Sequence, residues 1–222
     1  ITARIQGETL RIDHIGARIK AGQELKGSGW VSRQGGYALE LAGQAIELTA
    51  LDILKGVDGL QGRMDLSLKG QGTIAHPQLS GHAGIQGLKI KDQSFPDASL
   101  ALELRDTYLD VEGMLPFAIR GRYDLAQEAY QAEAVFDRTD LSPIFGLFGK
   151  PSLSGEISGR LIGSGRGLQL SGIDILDADL KDLRVAHGQR PLIQADTIKG
   201  SYRHRTLSVP RTHVRLAHGG GF

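Results

Sequence analysis

Apolar and polar residues alternate with a period of two along most of this chain. Tyr37, Leu39 and Leu41, for example, are separated by Ala38 and Glu40. Side chains of a β-strand point alternately to opposite faces, so this period predicts strands with one apolar and one polar face. The same pattern recurs in residues 63–69, 99–104, 108–112 and 117–120. The three residues 105–107 separate two such strands and predict a hairpin, so we expect an all-β fold with a long, mainly antiparallel sheet.

The apolar positions of these strands are the candidate binding residues, because a sheet with one apolar face must bury that face. Two sheets can pack together, a barrel can close, or the sheet can curl so that the apolar face lines a groove filled by another molecule. Periodicity does not distinguish a filled sandwich from such a groove. The candidate groove-lining residues are Tyr37, Leu39, Leu41, Met64, Leu66, Leu68, Leu100, Leu102, Leu104, Leu109, Val111, Phe117 and Ile119.

The chemistry of this lining is aliphatic, with few aromatic or hydrogen-bonding groups. A pocket that orients a polar substrate needs a few placed polar atoms, which these positions lack. An acyl chain needs only apolar contact, at about 0.8 kcal/mol for each buried CH₂ group. The lining therefore favours lipid over a polar small molecule.

Two segments break the alternation and bunch their apolar residues. They are residues 50–57 and 142–148, and each follows a Thr-x-Leu sequence that begins at Thr49 or Thr139. Bunched apolar residues at these places predict one or two short helices in an otherwise β chain.

The same two places anchor an internal repeat, since Thr49 and Thr139 lie 90 residues apart. A Leu-x-Gly and then a Gly-x-Gly sequence follow each anchor in the same order. These sequences occupy residues 60–62 and 70–72 in one copy, and 153–155 and 163–165 in the other. We expect residues 1–222 to form one continuous section, with repeat units at about 49–138 and 139–222 that stack on their neighbours.

Composition narrows the range of partners and of metal sites. The chain of 222 residues has 26 Lys and Arg against 25 Asp and Glu. This balance argues against a nucleic-acid partner, which usually requires a strongly basic face. There is no Cys, so neither disulfides nor thiolate metal sites are available. The alternation already begins at Ile1, so we expect the chain to be a section of a longer protein.

Several motifs mimic chemical sites, and each has a plainer interpretation. The sequence Gly70-x-Gly72-x-x-Ala75, with Asp92 downstream, resembles a dinucleotide fingerprint. That fingerprint needs a helix after its glycines, whereas Pro77 and further glycines predict a turn. The acidic set Asp174, Asp177, Asp179 and Asp182 favours a solvated strand face over a metal site. The scattered His residues lack zinc-site spacing. We therefore predict no catalytic residue, no metal, no cofactor and no enzymatic activity.

Residues 59–95 carry a more specific signal. They contain Leu60 and Gly62, then a turn that runs from Gly72-Thr73 to Pro77, then a Leu-x-Gly sequence at residues 79–81 and Gly87-Leu88. This arrangement resembles the repeated segments of the TamB/AsmA-like family. Residues 151–188 look like a diverged copy that lacks the Gly-Thr-Pro portion.

The resemblance implies a curled β-taco, or half-pipe groove, in a periplasmic protein anchored in the inner membrane. It implies phospholipid acyl chains as the ligand and transport of phospholipid between the inner and outer membranes. It also implies a link to outer-membrane protein assembly, through a TamA-like barrel partner bound by other parts of the parent chain. No catalytic residue is implied.

Two alternatives of different classes stay open at this point. A structural or chaperone-like scaffold would pair an open strand edge with a client β-strand, without lipid transport. A carbohydrate-active enzyme would need clustered carboxylates and exposed aromatic residues on one face, and the aromatic content of 5% speaks against it.

Overall fold

A computed structural model describes residues 2–20, 23–51, 58–167, 172–203 and 205–216 of the chain. The described residues form sixteen strands, which belong to one antiparallel sheet that is not closed. Strand order follows chain order, except that two short strands lie off the main path. The prediction of an all-β fold with a mainly antiparallel sheet is confirmed.

The chain divides into two compact units, residues 1–114 and 115–222. The strands of the first unit are β1 Thr2–Gln6, β2 Thr9–Lys20, β3 Gln23–Ser32, β4 Gly36–Glu47, β5 Leu60–Thr73, β6 Pro77–Ile90, β7 Gln93–Ser94, β8 Ala98–Arg105 and β9 Tyr108–Met114. A single 3₁₀ turn, Leu48–Ala50, follows β4. The rest of the helix expected here, residues 52–57, lies outside the described residues.

The second unit has the same style of construction. Its strands are β10 Ala118–Asp124, β11 Ala129–Asp140, β12 Leu153–Arg166, β13 Ile173–His187, β14 Arg190–Arg203, β15 Thr206–Ser208 and β16 Val214–Leu216. The helix expected between two of these strands is present as α1, Ser142–Leu147. Ser142 begins α1, with its backbone N–H and hydroxyl donating to Asp140 Oδ1 at 2.8 and 2.6 Å. None of the helices in the described part of the chain is long and apolar enough to span a membrane.

Tight turns connect neighbouring strands into hairpins. The connection between β8 and β9 is shorter than the sequence pattern predicts, because Arg105 still pairs with Tyr108. Asp106 takes a left-handed conformation, with φ of 54°, as two-residue hairpin loops require. The dinucleotide-like sequence also forms a turn, since Gly72 ends its pairing opposite Pro77 at the start of β6. The turn interpretation of that motif is confirmed.

Among the described residues, the largest fully buried side chains are Ile46 and Leu48, at one end of the first unit. Ile46 and Leu48 have exposed fractions of 0% and 2%, and Leu60 has 8%. Ile46 and Leu48 lie where the chain leaves β4 and enters the 3₁₀ turn, which contacts β5. The core of this unit is therefore a small cluster at the strand ends, formed by Ile46, Leu48 and Leu60, which we call the end cluster. Most other apolar side chains of the unit are half-buried.

Strand bounds recur between the two units with an offset of 93 residues. Gly36–Glu47 corresponds to Ala129–Asp140, and Leu60–Thr73 corresponds to Leu153–Arg166. A β-bulge also recurs, between Gly43 and Ile46 in β4 and between Phe136 and Thr139 in β11. This offset is three residues longer than the Thr49–Thr139 spacing. Thr139 is therefore equivalent to Ile46, at the bulge of β4, and not to Thr49.

Each bulge contains one non-glycine residue in the left-handed region. These residues are Ala45, with φ of 50°, and Arg138, with φ of 43°. The backbone N–H of Ala45 donates to Asp65 Oδ1 at 2.8 Å, and that of Arg138 donates to Ser158 Oγ at 3.0 Å. A side-chain acceptor on the neighbouring strand thus satisfies the amide that the bulge leaves unpaired.

Candidate functional site

The predicted lining residues of the first unit lie on one face of its sheet. Cross-strand pairing joins Leu41 to Leu68, Leu68 to Gly81, and Gly81 to Leu102, which in turn faces Val111. A parallel row joins Leu39, Gly70, Leu79, Leu104 and Leu109. We call this surface the aliphatic wall. Its predicted members are Tyr37, Leu39, Leu41, Met64, Leu66, Leu68, Leu100, Leu102, Leu104, Leu109 and Val111.

Leucines of the wall lean sideways over glycines of the next strand. A Cβ on Gly81 would clash with Leu68 Cδ2, and one on Gly27 would clash with Leu41 Cδ2. A Cβ on Gly113 would lie 2.7 Å from Leu100 Cδ2. These glycines leave room for the leucine side chains to lie flat, so the wall is a continuous hydrocarbon surface. The alternation of apolar residues predicts the leucines of this surface, but it does not indicate that the glycines between them belong to it.

Within the described part of the first unit, the outer side of the wall is not covered. All eleven members are half-buried. The substantial contacts between described strands of this unit join lateral neighbours in the sheet. No second layer of described strands therefore packs on the wall. From β4 to β9 the wall crosses five strands, because β7 lies off the main path, or about 19 Å at the usual strand spacing.

The two remaining lining residues, Phe117 and Ile119, belong to the second unit. Phe117 precedes β10 and packs on Phe136 of β11, with ring centroids 4.8 Å apart. Ile119 pairs with Ala134, which pairs with Leu161 of β12. Both predicted residues are half-buried, and they lie on an apolar face in which Ala and Gly are more frequent than in the wall.

The Leu-x-Gly motif has a structural reason. Gly62 lies under Leu48, and a Cβ added there would approach Leu48 Cδ1 to 3.0 Å. Gly155, at the equivalent position of the second unit, lies under Phe145, with a corresponding distance of 3.1 Å to its Cε2. The glycine lets the segment after the preceding strand close one end of the apolar face.

Charged side chains occupy the opposite face and pair locally. In the first unit Lys69 Nζ lies 3.2 Å from Glu40, and Arg105 lies 2.6 Å from Glu103. In the second unit Arg203 donates to both oxygens of Asp177 at 2.7 and 2.8 Å. Asp177 is thus paired with a cation, and the described residues contain no group of three or more His, Asp or Glu suited to a metal ion.

Two titrating groups respond to these surroundings. The hydrogen bond from Arg4 lowers the pKa of Asp13 below its ordinary value of 3.8, and the neighbouring charge of Arg11 acts in the same direction. Burial raises the pKa of Tyr130 above its ordinary value, and the charge of Asp174 adds to this.

The comparisons with known proteins add no family assignment. The chain matches no family model, and neither a curated protein nor a solved structure matches it.

Proposed function

We propose that this chain is a section of a periplasmic TamB/AsmA-like protein whose aliphatic wall carries phospholipid acyl chains between the inner and outer membranes. The observation that supports this most is the open wall of the first unit. It offers half-exposed hydrocarbon without an ordered set of polar groups, which suits a ligand recognised by apolar contact alone.

The dimensions of the wall agree with this ligand. A bilayer has a hydrocarbon core of about 30 Å, so the acyl chains of one leaflet occupy about 15 Å. The wall spans about 19 Å across β4 to β9, so the acyl chain of one leaflet, at about 15 Å, can contact it over its whole length. The headgroup would then lie beyond the wall, in water.

Photo-crosslinking at adjacent positions of one strand tests the lipid contact. Leu102 lies on the wall, whereas Ala101 lies on the exposed polar face between His82 and Glu112. A photoreactive benzoylphenylalanine at position 102 should yield a phospholipid adduct when the protein is irradiated in cells and analysed by mass spectrometry. The same group at position 101 should yield none. Equal labelling at both positions, or labelling at 101 alone, would contradict the proposal.

A charge substitution on the wall tests the function. Leu102→Asp should remove co-purified phospholipid and block lipid transport by the full protein, while circular dichroism still shows the sheet. Ala101→Asp introduces the same charge one residue away and should leave both lipid and transport unchanged. Lipid flux that persists in a folded Leu102→Asp protein would count against a lipid conduit.

The scaffold alternative has one observation in its favour. On the outer edge of β14, β16 pairs with residues 193–195 and β15 with residues 201–203. No described strand pairs with residues 196–200 on that edge. A client strand could add there. Under this alternative, an unfolded outer-membrane protein segment should slow hydrogen exchange of the amides in residues 196–200, even in a Leu102→Asp protein.

A further inference from the structure

A second surface of the first unit lies on the face opposite the wall. It is a trough of about 1080 Å³ that runs across strands from β1 to β8. Two neighbouring rows of polar-face side chains line it, with the backbone of the intervening row as its floor. The first row joins Arg11, Trp30, Ala38, Gln71, Gln78 and Arg105 across the strands. The second row joins Ser28, Glu40, Lys69, Ser80 and Glu103.

Trp30, the only tryptophan of the chain, lies in this trough with 41% of its surface exposed. Small residues make room for its indole beside β4. Ala38 is its direct cross-strand partner, and the ring edge would lie 3.6–3.7 Å from a Cβ on Gly36. The ring therefore leans over β4 and leaves apolar surface available to a ligand.

The polar groups around Trp30 are suited to hydroxyl groups. Gln71 and Gln78 each bring an amide that both donates and accepts hydrogen bonds. Ser28 and Ser80 add hydroxyl groups on the neighbouring row. A ligand with an apolar ring face and many hydroxyl groups would use both the indole and the amides.

The charge of the trough selects against ionic ligands. Its lining has three cations, Arg11, Lys69 and Arg105, and three anions, Asp13, Glu40 and Glu103. Glu40 pairs with Lys69, and Glu103 pairs with Arg105. A strand of nucleic acid or an anionic lipid headgroup would find no net positive charge here.

We propose that this trough binds a neutral oligosaccharide, with Trp30 as the stacking platform and Gln71 and Gln78 as hydrogen-bonding groups to its hydroxyls. The trough crosses six strands between Arg11 and Arg105, or about 24 Å, which suits a chain of sugars better than a single ring. The site is a binding surface without catalysis. It is separate from the wall, and it does not depend on the lipid proposal.

The unique tryptophan allows a direct test. The chain is titrated with chitotetraose and with maltotetraose while the emission of Trp30 is recorded. We expect a saturable change in emission with at least one of these neutral tetrasaccharides, and weaker binding of dextran sulfate. No saturable change up to about 10 mM of either sugar, or tighter binding of dextran sulfate, would overturn the proposal.

Variants assign the effect to the trough. Gln71→Ala keeps the fluorescent reporter and should weaken binding about tenfold, the loss that corresponds to about 1.4 kcal/mol. Gln131→Ala is the matched control, because Gln131 is exposed on the polar face of the second unit and outside the trough. Trp30→Leu, followed by calorimetry, should abolish binding. If a folded Trp30→Leu protein binds the sugar as well as the unmodified chain, the proposed platform is wrong.

Discussion

The paired strands β4 and β5 and their counterparts β11 and β12 share a backbone but not an apolar surface. Strand bounds and bulge agree at an offset of 93 residues. Leu39 and Leu41 of the first pair, however, correspond to Ala132 and Ala134 of the second. The same hairpin geometry thus presents a thick aliphatic layer in one unit and a thin one in the other.

The side chains that close the strand ends are also more deeply buried in the first unit than in the second. Leu48, in the first unit, is almost completely buried over Gly62. Its counterpart Leu141 is only half-buried, and Phe145 of α1 shares the contact with Gly155. Glycine positions, bulges and turns therefore maintain the backbone, while the apolar side chains vary independently of it. The three predictions that follow test this separation.

The largest effect on stability is expected from truncation of the leucines that close the strand ends, Leu48 in the first unit and Leu141 in the second. Leu48→Ala should lower the free energy of unfolding by about 3 kcal/mol, because it leaves a cavity in the buried end of the first unit. Leu141→Ala should cost only about 1 kcal/mol, since its side chain is already half in water. Urea denaturation followed by circular dichroism measures both. Equal losses would show that Leu48 and Leu141 stabilise their units equally, which would contradict their difference in burial.

A smaller effect of opposite sign is expected at the bulges. Ala45→Gly and Arg138→Gly should each raise the free energy of unfolding by about 0.5 kcal/mol, because glycine removes the cost of a left-handed backbone. Ala42→Gly, on the extended part of β4, is the control and should lower stability by about 0.5–1 kcal/mol. If both bulge variants lose as much stability as the control, the two bulges do not share the left-handed geometry described above.

The smallest effect on stability is expected from the ion pair between Asp13 and Arg4 in the first unit. Asp13 has a folded pKa below 3.8, so its ion pair stabilises the fold above that pH and is lost as pH falls through the lowered value. NMR titration should show the Asp13 midpoint below 3.8, and Arg4→Gln should return it toward 3.8. Arg11→Gln should shift it less, since Arg11 Nε lies 3.7 Å away against 2.7 Å for Arg4. A larger shift from Arg11→Gln would contradict this order.

Much of the fold was predictable because the pattern of period two is a local signal. Each strand that carries the predicted lining was expected from alternation, and α1 from the bunched apolar residues at 142–148. The alternation predicts a turn at residues 105–107, whereas the loop contains only Asp106 and Thr107. Arg105 belongs to β8 because cross-strand pairing continues one residue further than the apolar pattern. The sequence also marked the repeated Leu-x-Gly elements, but not what lies over their glycines.

Local alternation is enough to predict which residues share a face, because successive side chains of an extended strand point to opposite faces. The folded sheet, and not the local pattern, brings Leu68 over Gly81 and Leu48 over one end of the apolar face. It also places Trp30 in one row with Gln71 and Gln78 across four strands. These residues become neighbours because of the register in which strands pair that are distant in the chain. Register depends on bulges and turns acting together, and no single stretch of sequence encodes it.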